Sequence, residues 1–292
     1  MPVRAGLSAG VDEGLVLARD SAGVLLGLVA APAQAGLMKR TTTKSDSLEF
    51  GAGGTLSIIG APTGSIRIEG WNDNRIQIDA EIEISARTEA ELNELSKVTG
   101  FVMEESLGKT AITSLGTHDK AYLKKVAKKF PKQLIGLPFR IDYVIKVPRY
   151  CDLQIDGGSG DLYVGGVDGT MKINFLDANA RLDLVGGGIF ATFGGGTVDV
   201  SVPNRNWRGR FADIQLASGT MNVSLPPSLN AELNAVVLRS GSIDNTYEGL
   251  KPKTRRDTFT EKLIAAKSGS GGVPLKFTVG DGKLNIFQMK NP

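Results

Sequence analysis

A five-residue phrase recurs along this chain: a glycine, then a small polar or charged residue, then alternating apolar and polar residues. Copies are GTLSI from Gly54, GSIRI from Gly64, GDLYV from Gly160, GTMKI from Gly169, GTVDV from Gly196, GTMNV from Gly219 and GKLNI from Gly282. Glycine permits a tight turn with positive φ, and period-two alternation predicts a short strand with one buried face. A unit this short cannot bury its apolar edge alone, so neighbouring copies must stack. The sequence therefore predicts an all-β fold, and specifically a β-solenoid.

Composition favours narrow stacked coils and argues against a nucleic-acid-binding protein. The 292 residues are enough for one large unit or two modest domains, and they include 37 glycines but only 6% aromatic residues. Such a balance favours coils filled by Leu, Ile and Val. A net charge of +3 is too small to indicate nucleic-acid binding, and we predict no nucleic-acid partner.

The N-terminus carries a pattern typical of export. The apolar run SAGVLLGLVAA (residues 21–31) is followed by Ala33-Gln34-Ala35, which places small residues at the positions before a signal-peptidase site. The run is too short to span a bilayer. We predict that residues 1–35 are a signal peptide and that the mature protein is periplasmic, on the cell surface or secreted. A mis-assigned start codon or an uncleaved buried segment is the alternative, because the leader also contains Asp12, Glu13 and Asp20.

The rest of the chain divides into three predicted parts. Residues 36–47 are polar, and we predict a flexible mature N-terminus. Residues 48–150 form an N-terminal β portion with one or two short helices, and residues 151–292 form a glycine-rich β-solenoid closed by cap strands. The first helix is predicted over 88–98, where Thr88 and Glu91 have capping-box spacing.

The second predicted helix, over residues 118–134, is rich in lysine and stops at Pro131. Its basic and apolar residues could contact anionic lipid or an acidic envelope polymer, or they could form a solvated face whose apolar side covers the sheet. The lysines are Lys120, Lys124, Lys125, Lys128, Lys129 and Lys132.

The order of these features resembles a bacterial family of adhesin-like domains of unknown function. The resemblance is carried by GSIRIEGWNDNRIQIDAEIEISARTEAELNEL, by VIKVP leading into GGSGDLYVGGVDG, and by GSGGVPLKFTVGDGKLNIF, and it spans roughly residues 48 to 290. It implies a right-handed single-stranded β-helix with a helix-containing N-terminal β portion, in an exported or membrane-tethered protein. The lysine-rich insertion near 118–134 and a polar break near 246–260 depart from a uniform coil.

Chemistry-bearing residues are sparse. Cys151 and His118 are the one cysteine and the one histidine, so a Cys/His zinc site is excluded, and we predict no metal, cofactor or catalytic residues. The alternative is a glycan-active β-helix enzyme, which requires two carboxylates close together in a groove. Candidates on the polar faces of strands are Asp152, Asp156, Asp161, Asp183, Asp199 and Asp213.

We therefore expect an exported, non-enzymatic β-solenoid that acts as an envelope-associated adhesion or scaffold module, with an envelope polymer or a protein as partner. An exposed apolar patch would serve such contacts, or the same aromatic residues could fill the core. The candidates are Phe190, Phe193, Trp207 and Phe211. A structural element that polymerises through an uncapped end is a further alternative.

Overall fold

A computed structural model describes residues 37–289, except for 52, 107, 127–128, 203–206, 228 and 255–257. The predicted signal peptide, residues 1–35, lies outside the described residues. Contacts divide the chain after Ala35, and every described residue belongs to the unit that begins at Gly36.

Strands dominate the described residues. In chain order the elements are β1 Met38–Glu49, β2 Thr55–Ile59, β3 Ile66–Trp71, β4 Arg75–Ala86, α1 Glu89–Ser96, β5 Gly100–Ser106, β6 Lys109–Leu115, α2 Lys120–Val126, a 3-10 helix Lys132–Leu134, β7 Phe139–Pro148, β8 Asp152–Gly165, β9 Thr170–Asp183, β10 Gly188–Ser201, β11 Phe211–Leu225, β12 Ala231–Val237, β13 Gly241–Asn245, β14 Leu250–Pro252, β15 Leu263–Ser268 and β16 Val273–Gln288. The predicted all-β class is confirmed.

The strands form one large sheet that is mixed and not closed. Its centre is parallel, in the order β8, β9, β10, β11, β16. Parallel pairing continues on either side, because β8 pairs with β2 and β3, and β16 pairs with β12 and β13. Antiparallel strands lie outside these: β4 and β1 beyond β7, β5 beyond β6, and β15 and β14 beyond β12.

The central strands pair in parallel register, with a constant offset from β8 to β10. Leu153 pairs with Met171 and Met171 with Ile189, an offset of 18 residues each time. Ile189 then pairs with Ala212, and Ala212 with Leu275. Because the register is parallel, like residues stand beside like residues in the next strand, which builds ladders of equivalent side chains.

In each long central strand, the alternation of buried and exposed positions shifts by one residue in the middle. In β9, Met171 and Ile173 are buried in the first half, and Ala180 and Leu182 in the second. Odd positions are buried before the change and even positions after it, so the strand bends there and both halves contribute to a single apolar core. We call the two parts of each strand the first and second halves.

The predicted short strands are therefore joined in pairs. The copy GDLYV from Gly160 predicts a short strand of its own, but it is the second half of β8, which begins with DLQID. The closing segments VPLKFTVGDG and KLNIFQ are likewise the two halves of β16. The glycines that suggest turns instead allow the backbone to bend while its ladder hydrogen bonds continue.

The predicted flexible segment 36–47 is wrong from Met38 onward. Residues Met38–Glu49 form β1, which pairs antiparallel with the whole of β4. Its side chains are mostly exposed on both faces, which is why the polar sequence resembles a disordered tail. The consecutive threonines favour extended backbone, and the edge of β4 supplies hydrogen-bond partners.

The helices follow their sequence signals to different degrees. In α1 the predicted capping box is confirmed: the Thr88 hydroxyl accepts from the Glu91 amide, and the Glu91 carboxylate accepts from the Thr88 amide. The second helix is shorter than predicted, because α2 ends at Val126 and only the 3-10 turn Lys132–Leu134 follows Pro131.

The predicted C-terminal cap is also different. The last strand, β16, lies inside the sheet, between β11 on one side and β12 with β13 on the other. The margin is formed by β15 and the three-residue β14, which falls inside the predicted polar break 246–260 and ends in Pro252. A short strand that ends in proline offers little edge for further pairing.

Candidate functional site

The six candidate aspartates lie on outward strand positions, and the structure gives each of them a partner. Asp152, Asp156 and Asp213 are in first halves, and Asp161, Asp183 and Asp199 are in second halves. Asp152 accepts from the Thr170 amide (2.6 Å), Asp156 from Asn174 (2.8 Å), Asp161 from Asn179 (3.2 Å) and Asp199 from Asn222 (2.7 Å), while Asp183 pairs with Arg181 (3.3 Å) and Asp213 with Lys276 (3.1 Å).

Two of these aspartates share a groove, as the enzyme alternative requires. Asp183 and Asp199 line a depression of about 420 Å³ together with Arg181, Ser201 and Asn222. Arg181 neutralises one carboxylate, and the Asn222 amide donates to the other. Both carboxylates in the groove therefore already have partners within the protein.

This groove belongs to a longer row of side chains on the outward face of the second halves. Register places Arg67, Tyr163, Arg181, Asp199, Asn222 and Asn285 on successive strands. We call this row the second-half ladder. Its members on β10, β11 and β16 are joined by hydrogen bonds. The Asn222 side-chain amide donates to Asp199 (2.7 Å), and the Asn285 side-chain amide donates to the side-chain oxygen of Asn222 (2.8 Å).

The members of the ladder on β3, β8 and β9 are a tyrosine and the two arginines on either side of it, which make cation–π contacts with its ring. The guanidinium carbons of Arg67 and Arg181 lie 4.3 Å and 6.0 Å from the Tyr163 ring centroid. The ring leans over Gly165, where an added β-carbon would meet the phenol oxygen. Partial burial and the nearby Asp183 carboxylate raise the pKa of Tyr163, so the phenol keeps its hydrogen-bond donor further into the alkaline range than an exposed tyrosine.

Trp71 lies on the same outward face, and sequence reasoning missed it. Its indole donates to the Arg75 carbonyl oxygen (2.8 Å), and the Lys146 ammonium lies 5.6 Å from its ring centroid. A groove of about 410 Å³ beside Trp71 is lined by Asp46, Arg75 and Gln77. Trp71 begins the phrase WNDN (residues 71–74), which is typical of a turn. The alternation from Arg67 through Glu69 to Trp71 nevertheless places the indole outward.

The predicted aromatic patch is split between core and surface. Phe193 and Trp207 are buried, whereas Phe190 is 52% exposed and packs against Phe211 with ring centroids 4.4 Å apart. Both alternatives are therefore partly correct, since two of the four rings fill the core and two lie at the surface.

Cys151 and His118 have different environments. Cys151 is buried, and burial together with Asp152 raises the pKa of its thiol to about 12. His118 packs on Phe139 with ring centroids 5.3 Å apart, and its partial burial lowers its pKa. Within the described part of the chain, no group of three or more His, Cys, Asp and Glu residues could hold a metal ion.

Five of the six predicted lysines are described, and all five are exposed. Lys120, Lys124 and Lys125 lie on α2, Lys132 begins the 3-10 helix, and Lys129 lies between them. Lys128 lies outside the described residues. Neither of the described α-helices is long and apolar enough to cross a bilayer.

No family model matches the sequence, and no curated protein matches it. The chain is similar to the solved structure of a "putative cell adhesion protein" from Clostridium sporogenes, with 14% identity and a TM-score of 0.45 over 86% of this chain and 100% of that one. A "putative adhesin" from Bacteroides fragilis is 12% identical with a TM-score of 0.37, over 84% of this chain and 97% of the other. The predicted resemblance to adhesin-like proteins is confirmed to this extent; the similarity carries nothing about ligand or activity.

Proposed function

We propose that this chain is an exported, non-enzymatic adhesion or scaffold module of the cell envelope, built as a single-stranded β-helix. Support for the β-helix comes from the parallel strands that follow each other at offsets of 18 residues and bend at equivalent places. In this interpretation β8, β9, β10 and β11 are successive coils, and both halves of each coil enclose the shared core.

The observation that carries the binding role is the second-half ladder. Adjacent strands are about 4.8 Å apart, so its six side chains present donors and acceptors at regular intervals along one line. Neighbours hold several of them in fixed rotamers, which reduces the entropy lost when a ligand binds. A long polymer with repeating hydroxyl groups, such as an envelope polysaccharide, would meet these groups at many points and gain avidity.

The test is binding of the full chain to solubilised cell-wall polysaccharide, measured by biolayer interferometry. The double variant Asn222→Ala/Asn285→Ala removes the amides of the ladder but no buried side chain. We expect it to weaken binding at least about tenfold, since each lost hydrogen bond contributes about 1 kcal/mol. Lys172→Ala, on the outward face of the first half of β9, is the matched control. Equal binding by the double variant would remove the ladder from the proposal.

The enzyme alternative has its own readout. After incubation with the same polysaccharide, the non-enzymatic proposal expects no new reducing ends. Release of reducing ends by the unmodified chain, lost in Asp183→Asn and in Asp199→Asn, would instead assign glycan cleavage to the groove between them.

The polymerisation alternative is tested by size-exclusion chromatography across a range of concentrations, where we expect one species of constant size.

A further inference from the structure

The lysine-rich segment is an insertion at a corner of the fold. Strands β2 and β3 pair with the two halves of β8, and residues 60–65 connect them. On their other side, β6 pairs with β2 and β7 pairs with β3, yet the connection from β6 to β7 runs over residues 116–138. The insertion therefore takes the place of a short corner turn.

The positive charge of this insertion is not neutralised within the described structure. Its single acidic residue, Asp119, accepts the Ala121 and Tyr122 amides (both 2.9 Å) at the start of α2. None of the five described lysines forms an ion pair with a described residue. Charge left unpaired in this way is available to an external anionic partner.

The insertion is also held in place on the rest of the unit. Leu134 of the 3-10 helix is part of the shared apolar core, and Leu123 of α2 is buried. Two hydrogen bonds within the insertion close its base. The Thr117 hydroxyl donates to the Leu137 carbonyl oxygen (2.6 Å), and the Gly136 amide donates to the Thr117 carbonyl oxygen (3.1 Å). Its lysines therefore project from a fixed base.

Apolar side chains are also exposed at this corner. A groove of about 620 Å³ reaches His118 of the insertion and is lined by Ile59, Phe175 and Leu176. Asp156 also lines this groove, and its carboxylate accepts from the Asn174 amide (2.8 Å). Leu176 is 69% exposed and Ile59 47% exposed. Val126 and Ile135 of the insertion are exposed as well. Ile135 precedes Gly136, whose amide donates to the carbonyl oxygen of Thr117, the residue before His118.

We propose that this corner docks on a membrane containing anionic phospholipid. The docking surface consists of Ile59, Val126, Ile135 and Leu176 with Lys120, Lys124, Lys125, Lys129 and Lys132, and we call it the corner face. The ammonium groups bind lipid phosphates, and the exposed aliphatic side chains enter the boundary between headgroups and acyl chains. A soluble acidic polymer would use the lysines but would leave the aliphatic side chains in water. The proposal concerns a different surface from the second-half ladder and does not depend on what the ladder binds.

Vesicle co-sedimentation of the full chain tests the proposal, with vesicles of phosphatidylcholine mixed with phosphatidylglycerol and vesicles of phosphatidylcholine alone. We expect binding to the mixed vesicles only, and weaker binding as salt rises. Lys124→Gln/Lys125→Gln/Lys129→Gln should lower the partition coefficient about a hundredfold at low salt. The charge-matched control Lys172→Gln/Lys251→Gln/Lys283→Gln removes three exposed lysines elsewhere and should bind like the unmodified chain.

The apolar part of the surface needs a separate variant. Leu176→Ser/Val126→Ser should lower the partition coefficient at least about tenfold, whereas the control Leu238→Ser changes a side chain of similar exposure away from the corner. Circular dichroism and thermal unfolding verify that each variant is folded. No binding by the unmodified chain, or full binding by the lysine variant, would overturn the proposal. Loss only in the lysine variant would overturn it in favour of a purely electrostatic, acidic-polymer partner.

Discussion

The backbone of Gly219 lies directly against the carbonyl oxygen of Gly196 on the neighbouring strand. A β-carbon at Gly219 would overlap that oxygen, and the residue has φ +137°, which L side chains rarely adopt. Gly282 stands in the same relation to Gly219, and Gly241 to Gly282. In β10, β11 and β16 these stacked glycines lie at the bend of the strand, and Gly241 begins β13. The close approach of neighbouring strands there depends on the absence of side chains.

Gly219→Ala should therefore destabilise the protein by at least about 3 kcal/mol, because it combines backbone strain with displacement of a neighbouring strand. Urea unfolding followed by circular dichroism measures the change. The matched variant Gly51→Ala adds a β-carbon that meets nothing within 4 Å and should be nearly neutral. A loss below about 1 kcal/mol at Gly219 would contradict the close packing of the stack.

Stability should fall at alkaline pH because two buried acids ionise only in the unfolded chain. Burial raises the pKa of the Tyr143 hydroxyl from 10.0 to about 12, and burial with nearby Asp152 raises that of the Cys151 thiol from 9.0 to about 12. Above the ordinary values the unfolded chain releases protons that the folded chain retains. Between pH 9 and 12 the free energy of unfolding should therefore decrease, by at most about 1.4 kcal/mol per pH unit for each group.

The variants Cys151→Ala and Tyr143→Phe separate these two contributions, and each should flatten the alkaline decrease. Tyr143→Phe should also cost about 1–2 kcal/mol at neutral pH, because the buried Ser114 hydroxyl, 2.7 Å from the phenol oxygen, loses its partner. The exposed Tyr150→Phe is the control for removal of a phenol. An unchanged pH profile in both core variants would be incompatible with this origin of the decrease.

The capping box of α1 offers a smaller and local test. Thr88→Ala removes the hydroxyl that accepts the Glu91 amide and should lower stability by about 1 kcal/mol. Thr42→Ala, on the exposed strand β1, removes a threonine hydroxyl without a capping role. Thermal unfolding that shows equal losses in the two variants would argue against a contribution from the cap.

Deleting the last strand should be far more damaging than deleting the first. Truncation before Val273 removes β16, which leaves β11, β12 and β13 without their shared partner. We expect aggregation or loss of soluble protein, measured by light scattering and chromatography, because unpaired parallel strands expose backbone donors and apolar side chains. Deletion of Met38–Glu49 should leave a soluble folded protein, since β1 buries little and, among the described strands, pairs with β4 alone. Equal solubility of the two deletions would contradict this assignment.

Local signals predicted most of the strands and one helix well. The alternating sequence FRIDYVIKVP indicates a strand over Phe139–Pro148, the bounds that β7 has, and the spacing of Thr88 and Glu91 predicted the start of α1. These signals succeed because they depend on residues a few positions apart. The same alternation places Trp71 outward, but the turn-like phrase WNDN obscured this, so neither the indole nor its groove was predicted.

Long-range arrangement could not be predicted in the same way. The glycine-rich segment 157–160 is compatible with a turn or with a bend inside a continuous strand, and only pairing with the neighbouring strand decides between them. Nothing local in Val273–Gln288 indicates that it pairs with Phe211–Leu225 across more than forty residues. Similarly, the second-half ladder exists only because register places Tyr163 beside Arg67 and Arg181, so no spacing in the sequence marks it.

The inward position of β16 determines when the fold can be completed. In the described part of the chain, strand pairing links β12–β15 to the strands before them only through this strand. Those four strands have to wait, because β16 follows all of them in the sequence. A nascent chain can thus pair its early strands first, but its native core closes only once β16 has been synthesised, which leaves an interval in which chaperones can still bind the unpaired strands.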